Sequence, residues 1–109
     1  MNHLNPPSIT PTELKAMLDR GDDIELIDVR EPAEHAIVHL PGSRLIPLKT
    51  LPEHAEDLDP DKTQVVICKV GQRSAMAVTF LRERDFEAIN LTGGILGWIR
   101  EVDPSLPGY

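Results

Sequence analysis

Cys68 is the only cysteine of the chain, and the residues that follow it, Lys69-Val70-Gly71-Gln72-Arg73-Ser74, join two cations to a glycine. Gln64 to Cys68 (QVVIC) is a short apolar run that reads as a buried strand. From Ser74 to Arg84 the apolar residues Ala75, Val78 and Leu81 recur at helical spacing. The segment between them therefore joins the end of a strand to the start of a helix. Such a loop aims consecutive backbone N–H groups at one point, and the helix dipole adds positive potential there. A thiolate, a persulfide or a bound anion fits that cradle, and the thiolate is the nucleophilic form of cysteine. Gly71 permits a tight or left-handed turn, and Lys69 and Arg73 bring positive charge into the same loop. A lone cysteine closing an apolar strand serves equally well as a small buried hydrophobe. The loop, not the cysteine, carries the chemical reading.

Asp28 and Arg30 close a second strand, Ile24 to Val29, and in a parallel sheet they fall on the same edge as Cys68. Asp28 is expected to cap the following turn, and Arg30 either adds a cation to the site or is a surface charge. His39, beside Pro41-Gly42, is expected to order backbone rather than to act as a general acid. His3, His35 and His54 have no ligand spacing among themselves, so no metal site is expected. One cysteine also excludes an internal disulfide and a cysteine-rich zinc site.

The elements that must position these groups can be read along the chain. Thr10-Pro11-Thr12-Glu13 is a capping-box pattern that starts a helix running to about Arg20, with Gly21 as its stop. Expected next are the strand at 24–29, a short helix at 31–37 entered through Pro32, and a loop at 39–42. A short strand at 44–48 and a helix at 51–58 follow, then the strand ending at Cys68 and the helix at 74–84. A strand at 88–91, the pair Gly93-Gly94 and a helix at 95–102 close the chain. The glycine pair is expected where the chain passes close to neighbouring backbone. Strands alternating with helices specify an α/β fold, a mainly parallel central sheet with helices on both faces. Ligands of such sheets lie at the carboxyl ends of the strands.

The chain has 109 residues, enough for one domain. A polar extension is expected at 1–8 and the domain at 9–109. Hydrophobic residues make up 40% and aromatic residues only 4%, so the core is aliphatic and a base-stacking platform is absent from the expectation. A net charge of −7 argues against binding a phosphate backbone. No apolar run is long enough to cross a membrane, and Met1 to Pro7 lack the pattern of a signal peptide, so a cytoplasmic protein without membrane partners is expected.

Four segments together resemble the rhodanese family of sulfurtransferases: Leu26-Ile27-Asp28-Val29-Arg30-Glu31 with Glu34, His39-Leu40-Pro41-Gly42-Ser43, Cys68 to Ser74, and Leu91-Thr92-Gly93-Gly94-Ile95 with Gly97-Trp98. The likeness spans roughly Ser8 to the C-terminus, departing at Val38, where a glycine is frequent, and at Ser43, where alanine is common. It implies that Cys68 becomes a persulfide and that Lys69, Val70, Gly71, Gln72 and Arg73 form the loop holding it. Asp28 and Arg30 would be the acidic and basic pair supporting the pocket, beside Ser74. No organic cofactor or metal is implied.

The stretch Glu101 to Tyr109, with the Cys-Lys-x-Gly loop, is similar to the rhodanese domain that ends adenylyltransferase-sulfurtransferase proteins. Implied partners are a small sulfur donor or a protein cysteine persulfide, and a sulfur-carrier protein or adenylyltransferase. Two alternatives stay open: an interaction module of the same fold with weak catalysis, and a related cysteine phosphatase or arsenate reductase. The latter resemble a loop with five residues between cysteine and arginine, whereas here there are four, Lys69 to Gln72.

Overall fold

The computed structural model of the protein describes residues 6–108. Residues 1–5 of the expected polar extension, His3 among them, and Tyr109 of the closing stretch lie outside the described residues. Five parallel strands form one sheet: β1 (Ser8–Ile9), β2 (Ile24–Asp28), β3 (Arg44–Leu45), β4 (Thr63–Ile67) and β5 (Glu87–Leu91), in the order β1-β5-β4-β2-β3. The helices are α1 (Pro11–Arg20), α2 (Pro32–Ile37), α3 (Leu51–His54), α4 (Gln72–Arg82) and α5 (Gly94–Glu101).

Local chemistry sets several boundaries. Thr10 accepts from the Glu13 N–H at 3.1 Å while Glu13 accepts from the Thr10 N–H at 2.9 Å, completing the expected capping box, and Gly21 ends α1 in the left-handed region. Other boundaries differ from the sequence expectation. The strand expected at 44–48 pairs regularly only over Arg44–Leu45, because Pro47 has no N–H to give the ladder; Ile46 and Leu48 still donate to the Asp28 and Val29 carbonyls. The helix expected at 51–58 is a 3₁₀ turn at Leu48–Thr50, one α turn, and another 3₁₀ turn at Ala55–Asp57. Strand β1 was not expected: two residues carry no periodic signal, and its stability comes from pairing Ser8 with Asn90 and Ile9 with Leu91. Ser8, placed by sequence at the end of the extension, is therefore part of the sheet.

Both sheet faces are buried, which is why β2 and β4 read as continuous apolar runs rather than alternating ones. Successive side chains still point to opposite faces. Leu26, Val65, Ile67 and Leu91 pack with Leu14 of α1 and with Ile95 and Trp98 of α5. On the other face Ile27, Val29, Val66, Cys68 and Ala88 pack with Leu51 of α3 and with Ala77, Val78 and Leu81 of α4. Cys68, one residue beyond β4, thus lies on the α4 side of the sheet.

The start of α5 closes against the chain leaving β4. The N–H of Ile95 donates to the Cys68 carbonyl at 2.8 Å and that of Leu96 to the Lys69 carbonyl at 3.2 Å. Gly94 makes this approach, since a β-carbon there would lie 2.4 Å from the Cys68 oxygen and 2.5 Å from the Lys69 carbonyl carbon and oxygen, all backbone atoms. The expectation that the glycine pair marks a close backbone approach holds at Gly94.

Gly94→Ala is expected to lower stability by about 3 kcal/mol, since it combines overpacking with a strained positive φ of 58°. In a thermal melt this is a fall on the order of 15 °C. Gly42→Ala is the control, because φ is +81° but nothing lies within 4 Å; equal losses for the two variants would show that close packing at Gly94 is not limiting.

Candidate active site

The loop from Cys68 to Gly71 is all that separates β4 from α4. In a trans peptide the C=O of one residue and the N–H of the next point in opposite directions. Because the Cys68 and Lys69 carbonyls are held by α5, the N–H groups of Lys69 and Val70 must turn away from α5. Gly71 then reverses the chain at φ 107° and ψ −2°, a conformation that favours glycine, and its N–H donates to Cys68 Sγ at 3.0 Å. No side chain caps the N-terminus of α4, and no acidic residue lies in its first turn. Its first N–H groups and its dipole therefore present positive potential next to the sulfur.

Cys68 is 1% exposed. Ser74, in the first turn of α4 and fully buried, places its hydroxyl 3.2 Å from Sγ and donates to Asn90 Oδ1. Asn90 in β5 in turn donates through Nδ2 to the Gly71 carbonyl at 3.1 Å. Sequence reasoning missed Asn90; its signal is an amide standing in the otherwise apolar run Ala88 to Leu91.

Arg73, expected to end the loop, lies in the first turn of α4 because the helix begins at Gln72, and its guanidinium grips Glu34 of α2 through two bonds, Nη1 to Oε1 at 2.7 Å and Nη2 to Oε2 at 2.9 Å. Glu34 entered the sequence reading only through the family likeness, yet it ties the loop to α2. The Arg73 hydrogen bonds hold its carboxyl far below the ordinary range, at about 2, against the opposing effect of partial burial.

Arg30 requires a correction. Expected either to add a cation to the site, where it would bind substrate, or to be a surface charge, it is fully buried, so no part of it is open to a donor arriving from solvent. Asp28 accepts its Nε at 3.0 Å, its Nη2 at 2.7 Å and its backbone N–H at 3.0 Å. The guanidinium also donates to the carbonyls of Glu34 and Val38, so the pair anchors the middle and the C-terminal end of α2. By accepting the Arg30 N–H, Asp28 caps the turn that follows β2. The cations Arg73 and Arg30 are thus each matched by a carboxylate, and the close contacts to Sγ are the neutral N–H of Gly71 and hydroxyl of Ser74.

Lys69 is half-buried in the loop, while Val70 and Gln72 are exposed on its rim. His39 orders backbone, as expected: its Nδ1–H donates to the His35 carbonyl at 2.9 Å and its ring stacks on that of His35 at 3.9 Å. Burial pushes the pKa of His35 down. Among the described residues no group of acidic, histidine and cysteine side chains is arranged to hold a metal.

The depressed carboxyl of Glu34 makes a prediction about acid. A carboxyl whose pKa falls on folding contributes stability that is complete above its ordinary value of 4.5 and is lost as pH drops toward 2. Glu34→Gln should cost up to about 1 kcal/mol at neutral pH, the upper end for a partly exposed pair. Urea unfolding of both proteins should show that difference constant above pH 5 and shrinking below 4.5. A difference unchanged down to pH 2 would mean that the clamp does not depend on the charge of Glu34.

The geometry can be set beside known proteins. The rhodanese-like domain family matches residues 10–101. The chain is 42% identical over 106 residues to the probable adenylyltransferase/sulfurtransferase MoeZ of Mycobacterium tuberculosis, covering 94% of this chain but 27% of that protein. It therefore spans about a quarter of that relative's length. It is 36% identical to the putative sulfurtransferase YtwF of Bacillus subtilis, covering 88% of this chain and 93% of that one. The crystal structure of a rhodanese-like domain protein from Staphylococcus aureus superposes with a TM-score of 0.82 at 31% identity, covering 94% of this chain and 98% of the other. With the loop, the strand order and these matches in agreement, the chain belongs to the rhodanese-like domain family.

Proposed function

We propose that this protein is a sulfurtransferase that carries a sulfane sulfur as a persulfide on Cys68. The observation that carries the reading is the convergence of the Gly71 N–H, the Ser74 hydroxyl and the N-terminus of α4 on a single enclosed sulfur. Sulfurtransferase names among relatives matched over most of their length support the same class. On this reading we assign the roles of individual residues. Cys68 is the nucleophile, the backbone from Lys69 to Arg73 is the cradle, and Ser74 supports the sulfur. Asp28 and Arg30 brace the neighbouring α2.

In the loading step a lone pair of the Cys68 thiolate forms a bond to the sulfane sulfur of the donor. With thiosulfate, the donor's S–S bond breaks and its electron pair leaves on sulfite, so thiolate plus thiosulfate gives Cys68 persulfide plus sulfite with total charge conserved. An acceptor then attacks the outer sulfur and the thiolate departs. Cys68 is the only cysteine of the chain, so no second thiol of this chain can displace the sulfur as an internal disulfide. The acceptor is external. A sulfur-relay partner fits the adenylyltransferase-sulfurtransferase relatives, and we infer as acceptor the adenylated C-terminus of a small sulfur-carrier protein. Toward that electrophile the polarity reverses, the outer persulfide sulfur attacking the acyl carbon as AMP leaves. Two external thiols then reduce the acyl disulfide to the thiocarboxylate and the Cys68 thiol while becoming a disulfide themselves. We place this work in the cytoplasm, where a lone reactive thiol stays reduced.

Intact-mass spectrometry tests the reading. Thiosulfate should add one sulfur atom to the wild type and cyanide should remove it, whereas Cys68→Ser should gain none. An aryl phosphate should show no Cys68-dependent turnover comparable with thiosulfate. Absence of the adduct, or its persistence in the serine variant, would leave a binding module that keeps the fold.

Loaded protein, with an added thiol to cleave the acyl disulfide, is further expected to convert an adenylated carrier C-terminus to a thiocarboxylate, detectable by the mass of the carrier. Transfer to cyanide but not to the carrier would overturn the acceptor assignment and retain the general activity.

A further inference from the structure

Ser74 stands between two acceptors with one hydrogen to give. Its oxygen is 3.2 Å from Cys68 Sγ and hydrogen-bonds Asn90 Oδ1 on its other side. A hydroxyl has a single donor hydrogen and two acceptor lone pairs, so Ser74 cannot serve both at once. Which of them receives the hydrogen is set by a third contact. The Gly71 carbonyl can only accept, so the Asn90 amide must turn its Nδ2 toward it, as the 3.1 Å contact shows. That leaves Oδ1, again only an acceptor, facing Ser74. Asn90 is 8% exposed and Ser74 fully buried, so water is a poor substitute partner for either.

We propose that Asn90 is a positioning residue that acts on Cys68 through Ser74, drawing the hydroxyl hydrogen away from the sulfur whenever the sulfur is neutral. In the thiol state the arrangement is a complete relay: S–H donates to Ser74 Oγ, and Ser74 O–H donates to Asn90 Oδ1. When Cys68 ionises, the hydroxyl must turn to the thiolate, and Oδ1 loses its donor inside the protein. Loading restores the balance. In the persulfide the inner sulfur is bonded and neutral, the negative charge sits on the outer sulfur, and the hydroxyl returns to Asn90. Asn90 therefore disfavours the free thiolate relative to both the thiol and the loaded persulfide. This deepens the sulfurtransferase reading and rests on it only for the persulfide state.

The consequence is a pair of opposite effects. Asn90→Leu frees the hydroxyl for the thiolate and should move the pH midpoint of iodoacetamide alkylation of Cys68 down by about one unit, a tenfold change in the thiolate-to-thiol ratio. Ser74→Ala removes the donor and should move the midpoint up by a similar amount. In Ser74→Ala/Asn90→Leu the effect of Asn90 should vanish, because its route to the sulfur is gone. General loosening of the loop would instead move the two single variants in the same direction, or would leave the leucine effect intact in the double variant. Either result overturns the proposal. Should Asn90→Leu fail to fold by circular dichroism, Asn90→Ala reads the same sign without needing extra space.

The alkylation measurements use no sulfur donor, so their failure is separable from failure of sulfur transfer. Where transfer is active, Asn90→Leu should also lower the equilibrium fraction of persulfide at a fixed ratio of thiosulfate to sulfite by several-fold. An unchanged fraction would confine Asn90 to the thiol–thiolate step and overturn the persulfide half of the proposal.

Discussion

The Cys68 and Lys69 carbonyls are fixed by the first turn of α5, and the rest of the site depends on that constraint. With those oxygens held on one side, peptide planarity sends the following N–H groups to the other. The loop can then curl around the sulfur rather than away from it, with Gly71 supplying the left-handed turn that starts α4. Gly94 is what lets two backbones come this close, since its missing β-carbon leaves the space the Cys68 carbonyl occupies. The element that closes the fold and the element that carries the chemistry are therefore one packing unit.

Two cations of the site meet carboxylates. Arg73 is matched by Glu34 and Arg30 by Asp28, and the first of these pairs joins the loop to α2 while the second anchors α2 to the end of β2. Ion pairs are weak sources of net stability, and the buried one, Arg30–Asp28, also costs much desolvation, so losing one of its partners leaves a costly unpaired charge. Their value here is geometric: they fix one short helix, otherwise without a buried residue, against the mouth of the loop. The sulfur itself is served by neutral dipoles. Dipoles already held in place by the backbone stabilise charge that develops on sulfur without first having to reorganise.

The parallel sheet explains why these parts meet. Strands β2 and β4 are neighbours in register, Asp28 beside Ile67, so the residues leaving their carboxyl ends must share one edge. Strand β5 flanks β4 on the other side, pairing Asn90 with Val66, which brings the amide within reach of Gly71, 19 residues earlier in the chain. The two-residue strand β1 then pins β5 from outside, with Asn90 N–H donating to the Pro7 carbonyl.

Much of this was legible in the residue order. The capping box at Thr10 and Glu13, the apolar runs ending at Asp28 and Cys68, the helical stripe after Ser74 and the glycine pair are local patterns, and local patterns act through bonds and hydrogen bonds only a few residues long. They sufficed to name an α/β fold, to place Cys68 at a strand end and to expect Asp28 as a cap. What they could not show were the partners chosen across the sheet. Arg30 looked as fit for a substrate as for a carboxylate, Arg73 for sulfur as for Glu34, and Asn90 for nothing at all. A cation's partner is settled by whichever carboxylate the fold brings within 3 Å, and Glu34 lies 39 residues from Arg73 in sequence. Sequence determined which groups the chain owns and which local shapes they favour; the tertiary structure alone decided which of them meet, because ion pairs and hydrogen bonds are short-ranged and only packing sets those distances.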